Sequence, residues 1–590
     1  MKRTNANAAR VATGKGVPFC KSPMLSVKLP SGRSRFVLFV LFSAFAGLIG
    51  RALWLQGIST DFLQKKGESR FAHTLDLPAT RGKITDRTGQ VLASSVPVKG
   101  IWASPEDVLQ QPKEKLRELG KLLDMSEMEL LKKLDSDRSL VYLKRQVEPE
   151  IADKVAALKI DGIEMRKEYK RYYPQGEVMA HVVGFTNAED VGQEAMELAQ
   201  QKSLVGAPGT RRVIKDRLGH IIEDIAAVHE PHDGKDLVLS VDSKLQYIAT
   251  SQLKDAVEKY KAKAGAVVVL DVKTGEVLAL ANYPTYNPNN RAALTGQQLR
   301  NRVMTDTFEP GSTMKPFTVA LALDTKRVTA NTLMQTAPGR MTIGPATISD
   351  AHAHGMLTVS QVIQKSSNIG TAKLALQMQP QEMWELFTNA GFGQQPRFGF
   401  PGAVAGRVRP YKKWRPIEQA TMSYGHGISV SLIQLARSYM IFARDGDIIP
   451  LSFQKVTEPP PSQRVISAKT AREVRAMLET VVSPEGTAPK AQVPGYRVGG
   501  KTGTAYKVSG GRYDNHKYIG SFVGMAPMSD PRIIIAVMID EPGGVYHFGG
   551  DVAAPTFSTM AASALRSLNV PPDSTITNII IPTDGVQESM

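Results

Sequence analysis

Residues 309–315 read Glu-Pro-Gly-Ser-Thr-Met-Lys, so that Ser312 and Lys315 form a Ser-x-x-Lys pair directly after a Pro-Gly turn. Two further short segments follow in chain order, Ser366-Ser367-Asn368 and Lys501-Thr502-Gly503-Thr504. A lone Ser-x-x-Lys is expected by chance about once or twice in a chain of this length. All three segments in one order are improbable by chance, and they define the candidate catalytic site.

The residue types in these segments suit nucleophilic catalysis. A serine hydroxyl is a poor nucleophile until a base takes its proton, and a lysine can do so only when it is neutral. Residues three apart on a helix share one face, which places Lys315 within reach of Ser312. Burial and a second cation would both lower the pKa of Lys315, and Lys501 is the obvious second cation. The sequence therefore predicts a serine nucleophile activated by a lysine pair.

The combined motifs resemble those of the penicillin-recognising serine transferases and hydrolases, which are Ser-x-x-Lys, Ser-x-Asn and Lys-Thr/Ser-Gly. The resemblance implies that Ser312 forms an acyl-enzyme and that Lys315 is the general base. It also implies that Ser366 relays protons between Lys315, Lys501 and the leaving amine. Asn368 would hold the amide of the substrate.

The last motif supplies the expected substrate-binding residues, Thr502, Gly503 and Thr504. The resemblance implies an oxyanion hole made by the backbone N–H groups of Ser312 and Thr504. Strand alternation puts the two threonines on one face, suited to gripping the terminal carboxylate of a D-Ala-D-Ala peptide. Lys501 must then bend, or lie on a twisted edge, to reach the same site.

A wider match is to the class B penicillin-binding proteins. It rests on residues 81–93, 171–174 with 180–185, and 239–246, and residues 211–224 (RRVIKDRLGHIIED) particularly resemble the division-specific FtsI type. One departure is Ala195, which follows Glu194 where the family usually has glycine. The resemblance implies a peptidoglycan D,D-transpeptidase that cross-links D-Ala-D-Ala stem peptides at the septum and binds β-lactams. Implied partners are an FtsW-like membrane glycosyltransferase and other division proteins.

Three alternatives remain beside septal transfer. A β-lactamase-type hydrolase would need a water-positioning Glu-x-x-x-Asn, and residues 385–389 match those letters, but they lie in an amphipathic helical run and chance explains them better. An elongation-specific class B transpeptidase would carry the same motifs. A division scaffold with a vestigial penicillin-binding site is the third, and the complete catalytic set argues against it.

A membrane anchor is predicted at residues 36–56. Residues 36–50 (FVLFVLFSAFAGLIG) are uncharged, and the apolar character resumes after Arg51, giving about 20 residues, enough to cross a bilayer. Residues 1–35 carry eight basic side chains and no acidic one, which favours a cytoplasmic amino end and places the rest of the chain outside the membrane. The resemblance to the FtsI type implies that this membrane is the inner membrane and that the catalytic domain is periplasmic. A signal peptide cleaved after Ala44-Phe45-Ala46 competes, but that site falls inside the apolar run. The clustered charge also argues against nucleic acid as a partner, despite a net charge of +17.

Beyond the anchor, a non-catalytic, elongated pedestal domain of the dimerisation type is predicted at 57–230, a transpeptidase domain at 231–570 and a tail at 571–590. A helical stretch is expected at 112–137 and a strand at 236–241. Strands at 264–271 and 276–281 should form a hairpin, and the second Lys-Thr-Gly, Lys273-Thr274-Gly275, is a decoy in its turn with no chemistry assigned. Strands at 518–525 and 532–539 recur near the end, and helices lie between them, with a closing helix near 555–568. This order predicts an α+β fold with an antiparallel sheet flanked by helices.

Cys20 is the only cysteine, so no disulfide is expected. No metal or cofactor is expected either, since His352 and His354 have no accompanying ligand cluster.

Overall fold

The computed structural model of the chain describes residues 31–58, 72–215, 221–509 and 512–575. It divides into two compact units, one containing residues 1–75 and 210–228 and the other containing 76–209 and 229–590. The expectations for residues 1–30, including Cys20, and for residues 576–590 lie outside the described residues. The predicted domain boundaries therefore remain predictions.

The first unit contains the apolar helix. The helix Ser31–Leu53 continues into a π-helical turn, Trp54–Ile58, and its large apolar side chains are exposed. The apolar stretch Ser31–Gly57 is long enough to cross a membrane. The helix begins ahead of the predicted anchor and includes Arg33 and Arg35. The same unit contains a three-stranded sheet with the order Ala72–Leu77, Gly209–Lys215 and Ile221–His229.

The amino-terminal part of the second unit is built on a separate sheet. Its long strand Val91–Ala103 pairs antiparallel with three other strands of this sheet. The strand Leu237–Val238 pairs in parallel with the two-residue strand Ile84–Thr85. A small core of residues such as Leu119, Leu143 and Val155 lies beneath it. The remaining strands are Ile84–Thr85, Val141–Val147 and Ile163–Tyr172, and the helices are Pro105–Leu109, Lys113–Leu122, Glu127–Leu134, Pro149–Ala157, Ala180–Val183, Ala195–Ala199 and Gln201–Leu204.

A buried ion triad holds this part together. Glu197 accepts hydrogen bonds from Arg81 Nε at 2.6 Å and Arg171 Nε at 2.7 Å, and the carboxylate is fully buried. Arg171 also donates to the backbone carbonyl of Gly82 at 2.7 Å. Three segments far apart in the chain are thereby fixed to one carboxylate.

A five-stranded antiparallel sheet is the centre of the second unit. Its spatial order is Val277–Tyr283, Ala264–Asp271, Ile533–Asp540, Arg512–Ala526 and Gly499–Ser509. The strands Ala264–Asp271 and Ile533–Asp540 are buried along their whole length, as their continuous apolar sequences require. The strand that carries Lys501 lies at the edge of the sheet.

Helices cover this sheet and complete the α+β fold. The helices Ser243–Lys259 and Ala554–Ser567 contact each other and pack against the strands, and Leu432–Ser438 also contacts strand residues. The other helices are Gly296–Leu299, Arg302–Thr305, Lys315–Asp324, Val359–Gln364, Asn368–Ala375, Pro380–Asn389, Pro416–Met422, Met440–Ala443, Ala468–Thr480 and Gly549–Val552. Four two-stranded sheets pair Thr307–Phe308 with Val430–Ser431, Leu333–Gln335 with Met356–Thr358, Arg340–Ile343 with Ala346–Ser349 and Asp447–Ile448 with Gln463–Arg464.

The predicted fold class is confirmed, and the structure adjusts details. The expected hairpin is present, and the decoy Lys273-Thr274-Gly275 lies in its turn. The helical stretch expected at 112–137 is two helices, because Ser126 starts a second one with a capping box. The strand expected at 236–241 is limited to Leu237–Val238.

Candidate active site

Ser312 lies in a tight turn at the start of a buried helix. Gly311–Met314 form a 3₁₀ turn, and the helix Lys315–Asp324 begins directly after it. Side chains three residues apart eclipse each other in a 3₁₀ turn, so Ser312 and Lys315 still share a face. Ser312 is 3 % exposed and Lys315 is fully buried. The hydroxyl of the buried Tyr439 donates to the carbonyl of Thr313 at 2.8 Å and so holds the turn in place.

Two glycines let neighbouring backbones approach this turn. Gly311 has φ +55°, and a Cβ there would lie 2.9 Å from the carbonyl oxygen of Thr504. Gly425 has φ +89°, and its Cβ would lie 2.2 Å from the carbonyl oxygen of Gly311. Both positions combine a left-handed backbone with contact distances that exclude a side chain. The turn bearing Ser312 is thus held between the strand of Thr504 and the loop of Gly425.

The two lysines converge on one hydroxyl. Lys315 Nζ donates to Ser366 Oγ at 3.0 Å and to the Ser366 carbonyl, and Lys501 Nζ donates to the same Oγ at 2.9 Å. The two nitrogens therefore lie within about 6 Å of each other, and both side chains are fully buried. Ser366 has φ +59°, a conformation that non-glycine residues seldom adopt and that is concentrated at functional sites. The structure thus brings together the three segments singled out in the sequence.

Asp350 fixes the middle segment and was missed by sequence reasoning. Its carboxylate accepts from Ser367 Oγ at 2.6 Å and from the backbone N–H of Ile369 at 3.0 Å. Asn368 Nδ2 donates to the carbonyl of Ser349 at 3.0 Å, so this residue is anchored to the same hairpin. Asp350 belongs to none of the three motifs, and its contacts with Ser367 and Ile369 span 17 and 19 positions of the chain, so no local pattern marks it.

The strand with Lys501 forms the other wall. Thr502 Oγ1 lies 3.1 Å from Thr487 Oγ1 and accepts from Lys501 Nζ at 3.2 Å. Thr504 Oγ1 accepts from the backbone N–H of Gly549 at 3.0 Å. Lys501 Nζ therefore reaches both Ser366 Oγ and the hydroxyl of its chain neighbour Thr502, although strand alternation places the two residues on opposite faces. A Cβ on Gly503 would lie 2.7 Å from the Pro310 carbonyl oxygen, so this strand also touches the serine turn.

A polar and aromatic cluster lies next to the serine turn. Glu309 accepts from the backbone N–H of Gly427 at 2.8 Å and from the Tyr513 hydroxyl at 3.0 Å. Burial raises the pKa of Glu309, and burial together with the Glu309 charge raises the pKa of Tyr513 to about 12. His426 lies between the rings of Tyr424 and Tyr513, with centroids 5.2 and 6.4 Å away. Burial and the charge of Lys315 lower the pKa of His426 to about 4, so its imidazole is neutral at pH 7.

Glu309 and Tyr513 were not singled out, because their contact joins two segments separated by 204 positions in the chain.

Two family models match the chain. The penicillin binding protein transpeptidase domain matches residues 265–562, and the penicillin-binding protein dimerisation domain matches residues 76–239. A protein of Neisseria meningitidis named probable peptidoglycan D,D-transpeptidase PenA is 42% identical, over 95% of this chain and 97% of its own. The Escherichia coli peptidoglycan D,D-transpeptidase FtsI is 41% identical, over 92% of this chain and 93% of its own.

The chain belongs to the class B penicillin-binding proteins. Its activity is that of a peptidoglycan D,D-transpeptidase, a serine acyltransferase. A solved structure, the transpeptidase domain of Burkholderia pseudomallei penicillin-binding protein 3, is 58% identical and covers 57% of this chain and 98% of its own, with a TM-score of 0.53. The apolar amino-terminal helix accords with a membrane-anchored member of this family.

Proposed function

We propose that this class B penicillin-binding protein is the transpeptidase of the division septum and that Ser312 carries its acyl-enzyme. The observation that supports the chemistry best is the pair of buried lysine nitrogens on the single hydroxyl of Ser366, at 3.0 and 2.9 Å. Two cations this close repel each other, and burial penalises each charge. The arrangement favours one neutral amine beside Ser312, which is the condition for a lysine base.

In the proposed reaction Ser312 Oγ attacks the carbonyl carbon of the penultimate D-Ala of a D-Ala-D-Ala donor. Lys315 takes the hydroxyl proton, and Ser366 passes it, with Lys501, to the terminal D-Ala as its amine leaves. The bond from Oγ to the acyl carbon replaces the peptide bond. An acceptor amine of a second stem peptide then attacks the acyl carbon, restores the Ser312 hydroxyl and completes the cross-link.

The remaining site residues are assigned to binding. The N–H groups of Ser312 and Thr504 would stabilise the oxyanion, and a Cβ on Gly311 would lie 3.4 Å from Thr504 N, which brings this nitrogen next to the serine turn. Asn368 would bind the donor amide. Thr502, Gly503 and Thr504 would receive the terminal carboxylate, next to the positive charge of Lys501.

The proposed topology is a single pass through the inner membrane, with a cytoplasmic amino end and a periplasmic catalytic domain. The basic residues ahead of the apolar helix support this orientation. We assign residues 57–230 to the pedestal and 231–570 to the transpeptidase domain. An FtsW-like glycosyltransferase and other division proteins would be the partners, as the resemblance of the sequence to the division-specific type implies.

Two experiments separate this proposal from its alternatives. Fluorescent penicillin should label the wild-type chain and leave Ser312→Ala unlabelled. Equal labelling of both would remove Ser312 from the mechanism, and an unlabelled wild type would favour the scaffold. A fluorescent fusion should concentrate at mid-cell, whereas sidewall patches would favour the elongation-specific role.

A further inference from the structure

A cavity lies in the transpeptidase region, lined by residues outside the three motifs. Its volume is about 660 Å³, and it opens between the helix Leu432–Ser438 and the loop of residues 390–398. None of its lining residues belongs to the segments that meet at Ser366. A volume of this size accommodates a ligand as large as a dipeptide or a sugar phosphate.

The charge of the cavity lining is entirely positive. Arg397 and Arg437 line it, and no aspartate or glutamate does. Among the described residues no carboxylate lies within 4.0 Å of either guanidinium. Arg437 Nε donates to the backbone carbonyl of Ile449 at 2.9 Å, which leaves its two terminal NH₂ groups for another acceptor. Burial also lowers the pKa of Arg437, which reflects an environment that disfavours an uncompensated cation.

The walls of this cavity are fixed by a buried glutamine. The two N–H donors of Gln434 Nε2 are shared among the carbonyls of Gly391, Gln394 and Ala405, at 3.1, 3.0 and 2.8 Å. Its Oε1 accepts from the backbone N–H of Ser431 at 3.0 Å. One side chain thus ties the loop to the helix that carries Arg437. A site preorganised in this way binds without first ordering its walls.

One wall is apolar. The ring of Phe398 lines the cavity and packs against Phe453 with centroids 5.8 Å apart, and Leu451 and Pro450 continue the surface. Apolar surface beside two cations is the composition of a site for an organic anion.

We propose that this cavity binds a small organic oxyanion, a carboxylate or a phosphate ester, with Arg437 as the inner anchor and Arg397 closing over it from the rim. Planar guanidinium groups match the oxygen pairs of both anions. The size of the cavity and the presence of only two cations distinguish this ligand from a polyanion such as nucleic acid.

Calorimetric titration of the full chain in detergent tests the proposal with two anionic probes and their neutral counterparts. The probes are N-acetylglutamate and glucose 6-phosphate, and the controls are N-acetylglutamine and glucose. Ser312 is first acylated with penicillin, so that a carboxylate cannot report on the motif site. Arg437→Gln and Arg397→Gln are compared with Arg340→Gln, an exposed arginine outside the cavity. Hydrogen exchange with and without probe covers residues 390–398 and 449–451.

We expect at least one anionic probe to bind and its neutral counterpart not to. Each cavity variant should weaken binding about tenfold or more, while Arg340→Gln binds as the wild type does. The tighter probe identifies the source, carboxylate or phosphate. Bound probe should protect the two cavity segments in the wild type, which keeps the test valid if a variant misfolds. Absence of binding at millimolar probe, or protection confined to other segments, would overturn the proposal.

Discussion

Replacing Ser366 by alanine removes the one hydroxyl on which both lysines converge. Lys315 keeps its bond to the Ser366 carbonyl, and Lys501 keeps its 3.2 Å bond to Thr502 Oγ1, so neither amine is left without any partner. The fold should survive, since the substitution removes only a hydroxyl. What it breaks is the proton path between the amines.

The magnitude follows from the bonds that are lost. A hydrogen bond to a charged group contributes about 1.5–3 kcal/mol. If this contribution is expressed in the transition state, losing one such bond slows acylation roughly 10- to 150-fold. The loss should appear in the acylation rate with little change in melting temperature.

Stopped-flow or quenched labelling with fluorescent penicillin measures that rate. Ser438→Ala is the matched control, because Ser438 is also fully buried and its hydroxyl donates to a backbone carbonyl, that of Leu435, at 2.8 Å. The control should acylate at the wild-type rate. Ser366→Ala acylating as fast as the control would refute the relay.

Three further predictions concern the buried ion triad, the backbone at Ala195 and the titration of His426. Glu197→Ala leaves two buried arginines without their carboxylate and should lower the free energy of unfolding by about 3–5 kcal/mol. Glu164→Ala removes an exposed ion pair and should lower it by at most about 1 kcal/mol, as measured by denaturant unfolding. Ala195 has φ +48°, so Ala195→Gly should stabilise by up to about 1 kcal/mol, and Ala199→Gly at the other end of the same short helix should destabilise. The pKa of His426 is about 4 in the folded chain, against 6.5 as the ordinary value, so the unfolded state binds the extra proton between those values. Stability should fall as pH drops from 6.5 to 4, and His426→Gln should show a shallower fall in melting temperature; equal slopes would contradict the assigned pKa.

Much of the fold could be predicted from local sequence signals. The continuous apolar run at 264–271 and its turn predicted a buried hairpin, and the apolar runs near the end predicted two further strands of the sheet. These elements depend on side-chain pattern and turn chemistry, which are read from neighbouring residues. A single helical stretch was predicted at 112–137 where the structure has two helices, because the cap at Ser126 is a weaker signal than the polar composition that both helices share.

The motifs named the residues that meet at the centre of the site but not the contacts that hold them. Asp350, Thr487 and the Glu309–Tyr513 pair act across long separations in the chain, through hydrogen bonds that exist only after folding. The path of Lys501 was likewise undetermined, since alternation alone points it away from its neighbours. Local pattern supplies the chemical groups, and tertiary packing sets their distances.

The most direct test of the central claim is to trap the acyl group itself. The chain is incubated with a thioester donor ending in a D-alanyl group, quenched in acid and digested, and the modified peptide is sequenced by mass spectrometry. The acyl group should be found on Ser312 and be absent from Ser312→Ala. An acyl group on another residue, or turnover of the donor by Ser312→Ala at the wild-type rate, would contradict the account.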